Sequence, residues 1–121
     1  MKILITNDDG IGAEGIKILA SWAKKLGEVT VSAPKMQQSA KSHAINIHDS
    51  IAVRKVDFLE GVTAYEVDST PVDSVRYATL GLGVHYDLIL SGVNRGFNMG
   101  VRILRRVSVS SAAGIREKSW R

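Results

Sequence analysis

The sequence has no cysteine, only two prolines, and aromatic residues at 6% of its 121 positions. Without cysteine there is neither a disulfide nor a thiolate zinc site. No Asn-x-Ser/Thr acceptor occurs anywhere in it. No apolar run approaches the ~20 residues needed to span a bilayer. Before the polar Asn7-Asp8-Asp9 the chain offers only Ile3, Leu4 and Ile5, too little for the apolar stretch of a secretory leader. These absences make the cytoplasm the expected setting and exclude a membrane partner from the expectations.

What is present fits a globular domain. Hydrophobic residues make up 45% and charged residues 23%, values outside the disordered range. A length of 121 residues suits one domain with one real core. The net charge of +4 is unevenly placed. Residues 1–100 hold ten basic and eleven acidic residues, whereas residues 101–121 hold six basic residues and one acid, Glu117. The positive charge lies at one end without interleaved aromatics, so no specific nucleic-acid partner is expected. The chain divides accordingly into a core, residues 1–100, and an atypical basic tail, residues 101–121.

The pattern along the chain is α/β. Lys2–Thr6 reads as a buried strand running into a polar loop. Ile16, Leu19, Ala20, Ala23 and Leu26 recur at helical spacing, with Gly27 as the expected stop. Glu28–Ser32 is a β-branched strand, which completes a βαβ unit with parallel strands. Short strands are expected at Ala44–His48, Ile51–Val56 and Thr63–Val67, with Asp49-Ser50 as a turn. Thr70 is a good N-cap, Pro71 suits the first helical position, and Val72, Val75, Ala78 and Leu82 form the expected apolar face. Asp87–Ser91 is a further buried strand, followed by a loop punctuated by Gly92, Gly96 and Gly100. The expected fold is a Rossmann-like, doubly wound, mostly parallel sheet in three α/β/α layers, incomplete at its C-terminus. Such a sheet would leave an apolar face uncovered and an edge unpaired.

In an open α/β sheet, ligands bind at the carboxyl ends of the strands. Three loops leave such ends. They carry Asn7, Asp8 and Asp9; then Gln37, Gln38, Ser39, Ser42 and His43; then Ser91, Asn94, Arg95 and Asn98. Two carboxylates with hydroxyl and amide oxygens form a hard-oxygen set suited to Mg²⁺, Mn²⁺ or Ca²⁺. Adjacent acids also repel unless a cation sits between them. An Asp-Asp-Gly after a strand is equally a common turn, and Asn94 in a glycine-rich loop is a common turn residue. The cation reading therefore rests on convergence of the three loops.

The segments KILITNDDGIGAEGI, SAPKMQQSAKSHAINIH, DSTPVDSV and DLILSGVNRGFNMG, in this order and spacing, resemble the SurE (survival protein E) family of nucleotidases over residues 1 to about 100. The resemblance implies metal-dependent hydrolysis of nucleoside 5′- and 3′-monophosphates, with a possible exopolyphosphatase side activity. It implies one divalent cation, Mg²⁺ or Mn²⁺ (Ca²⁺ in crystals), held by Asp8, Asp9, Ser39 and Asn94. Asp8 and Asp9 become the catalytic pair, with Asp8 as base or water-positioning group. Asn98, Ser42 and His43 match positions at the phosphate or beside the substrate, while Asn7, Gly10, Gly92 and Gly96 shape the loops. Full-length members resemble homo-oligomers.

The sequence departs from that pattern at two places. Ser69 stands where the family has glycine before Thr-Pro. A Ser-Gly-Thr turn that opens a helix against phosphate is replaced, by position, by Arg106, Val107 and Ser108, and Ser108 alone keeps a hydroxyl for the phosphate. A truncated or frame-shifted C-terminus is expected after about residue 100. The alternative to an active phosphomonoesterase is a catalytically incompetent fragment that keeps the metal-binding loops. A receiver domain fits poorly, because Asp87 lies at the wrong end of its strand. A dinucleotide-binding module fits poorly too, because the first turn lacks G-x-G-x-x-G.

Overall fold

A computed structural model describes residues 1–36, 51–93, 100–107 and 115–117. In chain order the elements are β1 (Lys2–Thr6), α1 (Glu14–Ala23), β2 (Glu28–Pro34), β3 (Val53–Leu59), β4 (Val62–Val67), α2 (Pro71–Arg76), a π-helical turn (Tyr77–Gly81), β5 (Leu88–Ser91), β6 (Arg102–Val107) and β7 (Ile115–Glu117). They form a 7-stranded sheet in the order β3-β4-β2-β1-β5-β6-β7. The central strands β4, β2, β1 and β5 run parallel. The flanking strands β3, β6 and β7 pair antiparallel.

The alternation along β1 explains the layers. Ile3 and Ile5 face one side and pack with Ile16, Leu19, Ala20 and Ala23 of α1 and with Val29 and Val31 of β2. Leu4 faces the other side and packs with Ala78, Tyr86 and Ile89. Each face of the sheet therefore carries its own helical layer, as expected for a doubly wound α/β fold. Strands β2, β3 and β4 lie on one side of β1 and β5, β6 and β7 on the other, so the strand order reverses between β1 and β5. That reversal is where α/β sheets open a crevice.

Several expectations are corrected. Helix α1 ends at Ala23, and Leu26 lies in the following turn, 47% exposed. Gly27 is not the helix stop. A Cβ there would fall 2.2 Å from the Met1 carbonyl oxygen, and the next amide, Glu28, donates to that carbonyl at 2.9 Å. The glycine lets the start of β1 lie against the start of β2. In α2, Val72 is 56% exposed while Asp73 and Ser74 are buried. Of the expected apolar face, Ala78 and Val75 pack on the sheet with Leu4, Tyr86 and Ile89, whereas at the first turn the polar Asp73 and Ser74 are buried in place of Val72. The expected strand at Ile51–Val56 starts at Val53 and continues to Leu59. The expected strand Ala44–His48 and the Asp49-Ser50 turn lie outside the described residues.

The segment expected as a basic tail contains β6 and β7. Ile103 packs with the core on the α1 side and Leu104 with the core on the other side, the period-two alternation of a strand. Arg106 and Val107 are therefore strand residues rather than the start of a tight turn. Arg102 pairs with Ser91 and Arg106 with Leu88, so β6 carries the chain away from the carboxyl edge of β5. Ser108 lies outside the described residues.

Among the described residues the sheet and α1 leave an open apolar groove. Between α1 and the β5–β6 surface lies an open groove of about 500 Å³ lined by residues that include Ile18, Trp22, Leu88, Val101 and Ile103. Among the described residues no helix is long and apolar enough to cross a membrane.

Candidate active site

Strand β1 delivers Asn7 fully buried at its carboxyl end. The Asn7 Nδ2 donates to the Gly10 carbonyl at 2.8 Å, and the Gly10 amide donates back to Asn7 Oδ1 at 3.1 Å. Gly10 sits at φ 103, a conformation open to glycine and strained for other residues. The Ile11 amide donates to the Pro34 carbonyl at 2.8 Å, which pins the loop to the end of β2. Short polar side chains that bond back to the backbone two or three residues on favour such turns over strand continuation.

Asp8 and Asp9 stand on the crown of this loop. Asp8 is exposed and Asp9 half-buried. One oxygen of Asp9, Oδ2, is buried with no hydrogen-bond partner among the described residues. Leaving a buried carboxylate oxygen unpaired costs more than the ~1–3 kcal/mol of a neutral group. A hard cation would satisfy it. Among the described residues no group of three or more His, Cys, Asp or Glu comes together. Further ligands would then be hydroxyl, amide, backbone or water oxygens, the donor set of Mg²⁺, Mn²⁺ and Ca²⁺ rather than of zinc or copper. The residues present fit such an ion. Among the described residues the other buried side-chain atom without a partner is Thr6 Oγ1, at the end of the same strand.

The other loops leave from the same edge. Strand β5 ends at Ser91, opposite Thr6, and the Gly92 amide donates to the Thr6 carbonyl at 3.0 Å. A Cβ on Gly15, in the first turn of α1, would lie 2.8 Å from the Val93 carbonyl oxygen, so the chain entering the third loop rests directly on the helix that follows Asp8 and Asp9. Strand β2 ends at Pro34, paired with Val67 of β4. The described ends of all three loops thus lie along one edge. The expected ligands Ser39 and Asn94, and the expected substrate residues Ser42, His43 and Asn98, lie outside the described residues.

Beside this edge is a buried polar cluster that the sequence pattern did not single out. Thr70 caps α2 as expected, its Oγ1 accepting from the Asp73 amide at 3.2 Å. Ser69 Oγ donates to Asp73 Oδ2 in a short hydrogen bond. Ser74 Oγ donates to the Thr70 carbonyl at 3.0 Å, and Ser32 Oγ of β2 donates to the Ser74 carbonyl at 2.7 Å. The signal available was Ser32 at an inward strand position and Asp73 at the third residue of a capped helix. Both types are normally exposed, so neither marked a buried contact.

The fold and the site define a class: a Rossmann-like α/β domain with an acidic pair at the crevice where the strand order reverses. The comparisons make it particular. The family described as Survival protein SurE matches residues 3–116, so the chain belongs to that family. The match continues past residue 100, through β6 and into β7. The chain is 45% identical over 113 residues to a "5′-nucleotidase SurE" of Clostridium botulinum (strain Kyoto / Type A2), covering 93% of this chain and 45% of the relative. It is 46% identical over 114 residues to a protein of the same name from Clostridium beijerinckii, with the same coverages. Among solved structures it resembles the SurE protein of Aquifex aeolicus, with a TM-score of 0.67 and 34% identity, covering 83% of this chain and 40% of that one. The chain thus spans less than half the length of these relatives.

Proposed function

We propose that the chain carries the cation and phosphate loops of a divalent-metal-dependent phosphomonoesterase acting on nucleoside 5′- and 3′-monophosphates. The observation that carries this reading is the unpartnered, buried Oδ2 of Asp9 beside exposed Asp8 at the β1–β5 crevice. The family membership and the name of its nucleotidase relatives support the substrate class. A Mg²⁺ or Mn²⁺ ion, when bound, supplies charge neutralisation for a phosphoryl group and acidifies water. In this reading Asp9 holds the ion through its inward oxygen, and Ser39 and Asn94 complete the seat. Asp8, reaching solvent, orients the attacking water and takes its proton. Ser42, His43 and Asn98 bind the substrate on its phosphate side. Short polyphosphate is a second substrate on the same chemistry. The same reading places the reaction in the cytoplasm and assigns homo-oligomerisation to longer members of the family.

A second reading is favoured by one fact: the chain covers 45% of its nucleotidase relatives. It would keep the cation loops without turning over substrate. One experiment separates the two. Phosphate release from adenosine 5′- and 3′-monophosphate is measured with Mn²⁺ or Mg²⁺ and with chelator, for the chain and for Asp8→Asn. Metal-dependent release that the substitution abolishes supports the enzyme. Metal binding without release supports the second reading.

A further inference from the structure

The Asn7 side chain spans the two acids in a closed ring. Its Oδ1 accepts from the Gly10 amide and its Nδ2 donates to the Gly10 carbonyl, so one carboxamide holds both backbone groups of the residue on the far side of Asp8-Asp9. The Gly10 carbonyl also accepts from the Ala13 amide at 3.1 Å, which carries the ring into the start of α1. Asn7 is fully buried and reaches no solvent. Between these fixed ends Asp8 is exposed and Asp9 is half-buried, its Oδ2 buried with no partner among the described residues.

That arrangement is unfavourable by itself. Two adjacent carboxylates repel each other, and a buried unpaired oxygen forfeits its hydration. A free loop would relax by splaying the acids and turning Asp9 to water. We propose that Asn7 is a positioning residue that sets cation affinity without touching the cation: it holds the Asp8-Asp9 loop in the conformation that the ion requires. The inference rests on the cation reading of the site. It differs from that reading in locating part of the affinity in a neutral side chain of the loop's own frame. Groups that orient metal ligands typically change affinity by about 10–100-fold when removed.

The test is Mn²⁺ binding to the 121-residue chain, followed by the electron paramagnetic resonance signal of free Mn²⁺. Wild type is compared with Asn7→Ala, Asn7→Ser, Asp9→Asn and Tyr86→Phe, with folding of each checked by circular dichroism. Asn7→Ala removes both bonds of the ring, and Asn7→Ser keeps a short hydroxyl able to make one. The expected dissociation constants rise from wild type through Asn7→Ser to Asn7→Ala, by about tenfold or more at the end of the series. Tyr86→Phe, a change at the amino end of β5 that removes the hydrogen bond to Thr30, loses stability and keeps its affinity. If Asn7→Ala does not fold, Asn7→Ser decides alone. Folded Asn7 variants with wild-type affinity would overturn the inference while leaving the cation site intact, provided that Asp9→Asn binds weakly. Wild type that binds no Mn²⁺, or an Asp9→Asn that binds as well as wild type, would overturn the cation reading and this inference with it.

Discussion

Gly92 and Gly100 approach so closely that a Cβ on Gly92 would stand 2.8 Å from the Gly100 carbonyl oxygen and 3.1 Å from the Val101 Cα. This contact brings the residue after β5 against the residues just before β6. Gly92 also has φ 152, a region that side chains rarely adopt. Both costs fall on one substitution. Gly92→Ala is expected to destabilise the chain by about 2 kcal/mol or more, from backbone strain and overpacking together. Gly12→Ala, where nothing lies within 4 Å of the added carbon, is the control and should stay within about 0.5 kcal/mol. Urea unfolding of the two variants checks this. Equal midpoints would mean that the contact is not close-packed.

Asp8 and Asp9 should separate in their response to metal. On the proposed cation reading Asp9, with its buried oxygen, is the stronger anchor, and Asp8 is exposed. A ligand at roughly a hundredfold excess over its Kd stabilises the folded state by about 2.7 kcal/mol. Thermal unfolding with and without Mn²⁺ should therefore show a clear metal-induced rise for wild type, a reduced rise for Asp8→Asn and none for Asp9→Asn. Without metal, Asp9→Asn should unfold no earlier than wild type, because Oδ2 has no hydrogen-bond partner among the described residues to lose. An Asp9→Asn chain that is destabilised without metal would show that Oδ2 has a structural partner.

The contrast between these acids and the polar cluster near α2 shows what the sequence made legible. Strands β1, β2 and β5 stood out because Ile3–Ile5, Val29–Val31 and Leu88–Leu90 are apolar or β-branched runs ending in polar loops. Thr70 was readable as a cap because capping is a local rule. Local rules failed where a contact is long-range. Whether Val72 or Ser74 faces the sheet depends on Ser32, which is 42 residues away from Ser74 and donates to its carbonyl. Gly27 looked like a helix stop, yet it is fixed by the Met1 backbone on a neighbouring strand. The β6 strand was hidden because Ile103 and Leu104 are the apolar pair within a stretch dominated by arginine. At the site, the acid pair was legible by type and position. The unpaired state of Asp9 and the closure of the loop by Asn7 required coordinates.

The Ser69 hydroxyl donates to the buried Asp73. A hydrogen bond to a charged group is worth about 1.5–3 kcal/mol. Ser69→Ala should cost that much in urea unfolding at neutral pH. Thr70→Ala should cost about 1 kcal/mol through loss of the cap. The two losses should not add, because both side chains converge on Asp73. A Ser69→Ala loss below about 0.5 kcal/mol, the level of an ordinary surface change, would mean that Asp73 is satisfied without it.

Tyr86 gives the pH dependence that the fold itself predicts. It is 2% exposed, and burial pushes its phenol above the ordinary tyrosine value of 10.0. Its hydrogen bond with Thr30 lowers the value and the nearby Tyr65, Glu28 and Tyr77 raise it, but burial is the largest effect. The folded state thus holds this proton more tightly than the unfolded chain, in which the phenol titrates near 10.0. The contribution to stability is complete below that pH and falls as pH rises from there through the higher folded value. Urea unfolding of wild type and Tyr86→Phe between about pH 8 and 11 tests the sign. Wild type should lose stability more steeply than Tyr86→Phe above about pH 10. Below that, the two should run parallel, offset by the lost hydrogen bond to Thr30. Parallel curves across the whole range would mean that Tyr86 titrates alike in the folded and unfolded states, and would place water at its hydroxyl.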